Sequence, residues 1–154
     1  IFSAHGLPEK NIKKGDPYQW QVEQSVKKIV ESLNDENLDW ILSYQSRVGP
    51  LKWIGPSTEK VIKDEALKQR IIIVVPVAFV SEHSETLVEL DIEYKKLAKE
   101  NGSKDYIRIP AVTVNKDFIN SLRSSILLAS SGEKYTSSIK CLEKFKKCPR
   151  LQNI

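Results

Sequence analysis

His5 and His83 are the only imidazoles in this chain, and each follows directly on an apolar, strand-like run, residues 1–4 and 71–80. Glu85 follows His83 at His-x-Glu spacing. Imidazole titrates near neutrality and binds borderline divalent metals, while a carboxylate adds charge compensation and a proton acceptor. If the two runs are neighbouring strands of an open parallel sheet, all three groups sit at the crevice where such sheets bind ligands. The plainer reading of each histidine alone is a solvated or hydrogen-bonded loop residue. Known signatures narrow the choice by exclusion. A zinc nucleobase deaminase needs a downstream Pro-Cys-x-x-Cys, and a zinc protease needs His-Glu-x-x-His; neither occurs. The first loop, Ser3-Ala4-His5-Gly6-Leu7-Pro8, has one glycine and no phosphate-cradling run, which argues against flavin or dinucleotide binding.

The elements that must position these residues read as α/β. Apolar runs alternate with helical periodicity four times, the pattern of a parallel sheet with crossover helices. Gly15-Asp16-Pro17 supplies a turn, an N-cap and a first-turn proline ahead of Val22, Val26, Ile29, Val30 and Leu33. A second strand is predicted over 38–45, then a Pro/Gly-punctuated loop over 47–56 and a short helix from Ser57. The third strand, 71–79, is continuously apolar and predicted buried on both faces. Leu87, Leu90, Tyr94, Leu97 and Ala98 predict the stripe of the next helix, stopped near Asn101-Gly102. A fourth strand is predicted over 106–109, and a last helix over 116–129 with Ile119, Leu122 and Ile126 on one face. Right-handed crossovers make all four strands parallel, and the order 2-1-3-4 makes strands one and three neighbours. The division expected is a domain over 1–130 and a basic tail over 131–154.

At 154 residues, 40% hydrophobic and 29% charged, the chain can bury a substantial core. The net charge of +4 is local. From Glu133 onward six Lys/Arg face two Glu, leaving eighteen charges of each sign in the body, so no nucleic-acid-binding face is expected. No apolar stretch reaches the roughly 20 residues of a membrane helix. No secretory signal is read at Ile1, and reduced thiols are the default for Cys141 and Cys148. These features set the expectation of a cytoplasmic protein, with the basic tail as a candidate for peripheral contact at the inner membrane. The start inside an apolar run, with no methionine, predicts a fragment of a longer protein.

Glu85, Glu89 and Glu93 recur every four residues, an acidic row roughly 12 Å long. The periodicity places it opposite the apolar stripe, facing water unless a second domain covers it and turns it into a path for cations or protons. Trp53, in the loop after strand two, and Phe79, just before His83, are either satellite core or the wall of a flat, apolar ligand site.

Four motifs in order carry a resemblance: Ser3-Ala4-His5-Gly6-Leu7-Pro8; Gly15-Asp16-Pro17-Tyr18; Gln45-Ser46-Arg47-Val48-Gly49-Pro50 with Trp53-Ile54-Gly55-Pro56; and His83-Ser84-Glu85-Thr86-Leu87 with Glu89-Leu90-Asp91-Ile92-Glu93-Tyr94. Together, over about residues 1–129, they resemble ferrochelatase, and only its C-terminal half. The resemblance implies one of two similar chelatase-like α/β domains, and insertion of ferrous iron into protoporphyrin IX in haem synthesis. It implies catalytic roles for His5, which takes pyrrole protons or binds the incoming metal, and for its acidic partner Glu85. His83 joins them at the metal, and Glu89 and Glu93 match the metal or proton path. Trp53, Phe79, Leu7 and Pro8 match positions near the porphyrin. No cofactor is implied beyond iron as substrate. Some members hold a [2Fe-2S] cluster on four cysteines, and Cys141 and Cys148 are only two. The N-terminal domain is the implied partner, without which this chain is not expected to complete the reaction; no oligomeric state is assigned. The alternatives are a non-catalytic metal- or tetrapyrrole-binding module on the same fold and, weakened by the first loop, a flavodoxin-like cofactor carrier.

Overall fold

The computed structural model describes residues 1–131 and 141–148. Four parallel strands, β1 (Phe2–His5), β2 (Leu42–Gln45), β3 (Ile71–Pro76) and β4 (Asp105–Arg108), lie in the order β2-β1-β3-β4. The predicted fold class and strand order therefore hold. Because every strand runs the same way, the loops after β1, β2 and β3 open on one edge, which puts His5 and the segment carrying His83 on that edge.

Helix α1 (Glu9–Lys13), absent from the sequence reading, leads into α2 (Tyr18–Leu33). The Asp16 carboxylate accepts from the Tyr18 amide at 3.0 Å and so starts α2, and Asn34 at φ 50° ends it in the left-handed region that Asn tolerates. Val22 and Val26 bury the apolar side of α2 on Phe2, Ala4 and Tyr44. A fully enclosed side chain such as Val26 contributes about 1.5–3 kcal/mol. On the other sheet face α3 (Thr58–Ala66), capped by the Ser57 hydroxyl, packs Ile62 and Ala66 on Ile72 and Val74.

Three predictions need correction. β2 starts at Leu42, not 38, because β1 starts opposite it at Phe2 and residues 38–41 have no strand to pair with. β3 ends at Pro76 and alternates: Ile72 and Val74 are buried, while Ile71 and Ile73 are 59% and 47% exposed, because no helix among the described residues covers that side of β3. The third helix begins as a π-helix over Glu85–Tyr94 and becomes α-helical only in α4 (Lys95–Glu100). The wider winding changes the buried stripe. Thr86, Leu90 and Ala98 are buried, Tyr94 is half-buried, and Leu87, predicted inside, is 47% exposed. A constant spacing of four drifts steadily around an α-helix of 3.6 residues per turn, and a π segment offsets that drift.

Helix α5 (Lys116–Ser130) forms as predicted, yet has no buried residue. Within the predicted tail, residues 141–148 rest on α2, where Phe145 and Cys148 are buried and the Phe145 ring lies 5.5 Å from that of Trp20. The rest of the tail, 132–140 and 149–154, lies outside the described residues. No helix among the described residues is long and apolar enough to cross a membrane.

Candidate active site

The site begins in a buried polar chain across the sheet. Ser3, Ser43, Thr58 and Gln45 are each no more than 1% exposed. The Ser3 hydroxyl donates to Gln45 Oε1 at 2.7 Å, which fixes the direction of the other bonds. Thr58 donates to Ser3 at 2.9 Å, and the Ser43 hydroxyl shares its hydrogen between Thr58 at 2.9 Å and the Phe2 carbonyl at 3.3 Å. The Gln45 amide is thereby oriented, and its Nε2 donates to the Glu85 carbonyl at 2.8 Å and to Glu89 Oε2 at 3.0 Å. One buried glutamine thus holds the first turn of the π-helix against the ends of β1 and β2.

Glu89 takes three further bonds, from the Ser46 amide at 2.7 Å, the Ser46 hydroxyl at 2.5 Å and the Tyr94 hydroxyl at 2.7 Å. The acidic row is therefore divided: Glu89 is tied to the end of β2, Glu85 sits half-exposed at the mouth, and Glu93 is exposed. Ser46 has φ 57°, a left-handed conformation, and that turn aims its amide and hydroxyl at the same carboxylate. Around these groups lie two adjoining clefts. One, of 400 Å³, is lined by Arg47, Trp53, Glu89 and Glu93; the other, of 440 Å³, by Ser46, Arg47, Glu85 and Val88.

His5 ends β1. Its Nδ1 lies 2.8 Å from the Gly6 carbonyl, an acceptor only, so Nδ1 carries a hydrogen, and in the neutral ring the lone pair is on Nε2. The Tyr18 hydroxyl donates to the His5 carbonyl at 2.9 Å and fixes the strand end. His83 repeats the arrangement, with Nδ1 2.9 Å from Glu85 Oε2. The Ser84 hydroxyl, the helix's own amide and His83 hold the Glu85 carboxyl below the usual carboxylate range. It is an ionised acceptor for the Nδ1 hydrogen of His83, which leaves Nε2 as the other nitrogen of that ring. Phe79, 8% exposed, lies 5.5 Å from the His83 ring and supports it.

The structure thus brings His83 and Glu85 together and places His5 on the same edge with its own partners. Among the described residues, no three His, Cys, Asp or Glu side chains stand close enough together to hold a metal ion. The matched positions Leu7, Pro8 and Trp53 do meet. Pro8 and Trp53 form a β-bridge, and the Ile54 amide donates to the Leu7 carbonyl at 3.0 Å. The Trp53 indole N–H is buried with no partner among the described residues. Behind it, a Cβ on Gly6 would lie 2.9 Å from the Gln45 carbonyl, 3.1 Å from Arg47 Cγ and 3.2 Å from the Trp53 ring. Gly6→Ala is expected to cost about 1–3 kcal/mol in a denaturant titration of the full-length protein and to displace Trp53.

Sequence reasoning assigned no role to Gln45, Ser46 or Arg47. The available signal was their position, a polar run directly at the end of β2 on the same edge as both histidines. As for a [2Fe-2S] group, Cys141 and Cys148 are the only cysteines of the sequence, two thiolates where such a cluster takes four, so this chain's residues do not fit one.

The sequence pattern of the family described as Ferrochelatase matches residues 1–129. The chain belongs to this family. It is 66% identical to a ferrochelatase of Pelagibacter ubique (strain HTCC1062) over 155 residues, 98% of this chain and 45% of that protein. Ferrochelatases of Rickettsia bellii (strain OSU 85-389) and Rickettsia prowazekii (strain Madrid E) are 48% and 49% identical, each over 96% of this chain and over 44% and 45% of their own lengths. The chain therefore spans less than half the length of these ferrochelatase relatives.

Proposed function

We propose that this chain supplies the catalytic edge of a ferrochelatase, the C-terminal half of an enzyme that inserts ferrous iron into protoporphyrin IX. The observation that carries the reading is the pair of imidazoles on one sheet edge, each with Nδ1 committed to a partner so that Nε2 is the nitrogen left for substrate. Insertion replaces two pyrrole protons by one dication, so charge is conserved only if both protons are taken up. His5 takes a pyrrole proton or first meets the metal, and Glu85, ionised beside His83, balances the incoming charge. Glu93 extends the acidic approach. Trp53, Leu7 and Pro8 form an apolar wall for the flat macrocycle, with Phe79 behind His83. The missing half closes the cleft from the other side, and the enzyme is cytoplasmic or peripheral at the inner membrane. Glu85→Gln in the full-length protein is expected to lower iron insertion by at least ~10-fold with porphyrin binding retained. An unchanged rate in that variant would remove Glu85 from the reaction. A wild-type full-length protein that binds porphyrin and inserts no metal would favour the non-catalytic binding module instead.

A further inference from the structure

A carboxylate offers about four acceptor positions, and Glu89 has a donor at each. Oε1 accepts from the Ser46 amide and the Tyr94 hydroxyl, and Oε2 from the Ser46 hydroxyl and the Gln45 side-chain amide, over 2.5–3.0 Å. No lone pair is left for a cation or for a proton in transit. The row of glutamates therefore has a closed member at its centre, and its four donors serve another purpose.

That purpose lies in the winding. Glu89 and Tyr94 are five residues apart. On an α-helix of 3.6 residues per turn they would stand roughly 140° apart around the axis, too far round to meet. The i→i+5 bonding of a π segment brings them onto one side, so the bond between their side chains belongs to the π winding and is lost in the α. Gln45 fastens the start of the same segment, because its Nε2 bridges the Glu85 carbonyl and the Glu89 carboxylate. The first, fifth and last residues of Glu85–Tyr94 are thus gathered onto the end of β2. Burial contributes less. Among the described residues only Thr86 and Leu90 of the segment are buried, while Leu87, Val88 and Ile92 are exposed. An uncommon winding persists where its surroundings over-determine it, and here the polar contacts do so.

We propose that Glu89 is a positioning residue of this site rather than a step in a cation path: with Gln45, Ser46 and Tyr94 it clamps the π winding and so sets where Glu85 stands. The consequence for iron insertion rests on the reading of Glu85 as the charge-balancing carboxylate, whereas the clamp itself does not.

The test compares Tyr94→Phe, which removes one hydroxyl, with Glu89→Gln in the full-length protein. Hydrogen exchange reads the clamp without reference to activity. In the Tyr94→Phe protein the amides of residues 90–95 are expected to exchange about 10-fold faster or more, the effect of losing one hydrogen bond to a charged acceptor, with β1 and β3 unchanged. Unchanged exchange over 90–95 would overturn the proposal. Steady-state kinetics read the consequence. Both variants are expected to lower kcat by about 10-fold or more and to keep KM for iron within about two-fold of wild type. The double variant should be no slower than the slower single one, since two groups of one clamp do not add. A several-fold rise in KM for iron in Glu89→Gln, with kcat kept, would make Glu89 a cation ligand and overturn the proposal. If Glu85→Gln inserts iron at the wild-type rate, the reading of Glu85 fails, and the exchange result still decides the clamp.

Discussion

His5→Ala in the full-length protein is expected to lower iron insertion by about 10²–10⁴-fold, the range for losing a positioned general base. The side chain has little structural work to lose. Its only hydrogen bond among the described residues is from Nδ1 to the carbonyl of the adjacent Gly6, while the strand end is held separately by the Tyr18 hydroxyl and by the Gly6 amide on the Gln45 carbonyl at 2.7 Å. Thermal stability should therefore be nearly unchanged, and the loss should fall on kcat. The split between kinetic constants separates the two roles open to Nε2. A proton acceptor leaves KM for iron untouched, whereas a metal ligand raises it. Turnover within a few-fold of wild type would show that the lone pair on Nε2 is not used.

The placement of both histidines on one edge was legible because it follows from topology. Apolar runs alternating with helices demand parallel strands, and parallel strands put every following loop on one side, so His5 and His83 needed no contact information to be placed. The π-helix was not legible. Its i→i+5 winding leaves no periodic mark that a stripe assumed to be α-helical would miss, and so Leu87 was placed inside and Glu89 outside. Glu89 reaches four donors only because Ser46 takes a left-handed turn, a backbone choice that Ser does not announce. β3 misled for a different reason. Its unbroken apolar run predicts cover on both faces, whereas Ile71 and Ile73 on one face are exposed among the described residues. The Arg108 cluster joins residues 17 and 26 positions apart, and no local pattern links them.

That cluster should give the largest loss of stability. Arg108, with its side chain 10% exposed, donates through Nε and Nη2 to both oxygens of Asp91 and through Nη1 to Glu82 Oε1 at 2.6 Å, and Glu82 Oε1 also accepts the Ala111 amide at 2.9 Å. The guanidinium therefore fastens the residue preceding His83 to the π-helix and to the end of β4. Arg108→Met leaves two carboxylates without their cation. Because Glu82 and Asp91 keep 24% and 35% of their side-chain exposure, the expected cost is about 2–4 kcal/mol, at the lower side of that for breaking a fully buried pair. Denaturant titration of the full-length protein reads the loss, and adding Glu82→Gln should recover part of it, because one of the two stranded charges is gone. The same cluster sets an acid limit. Burial pushes the Glu82 carboxyl up, but the Thr86 hydroxyl, Arg108 and the Ala111 amide outweigh it and hold the group at about 2 against an ordinary 4.5. A depressed carboxyl stabilises the fold fully above its ordinary value and loses that contribution as pH falls toward the folded value. Stability should thus decline between about pH 4.5 and 2, and Glu82→Gln should flatten that decline. Amide exchange over residues 82–86 should rise in the Arg108→Met protein before global unfolding, because His83 and Glu85 are carried on the segment that the arginine holds. A variant as stable as wild type, with unchanged exchange there, would mean that Thr86 and Gln45 alone position the pair.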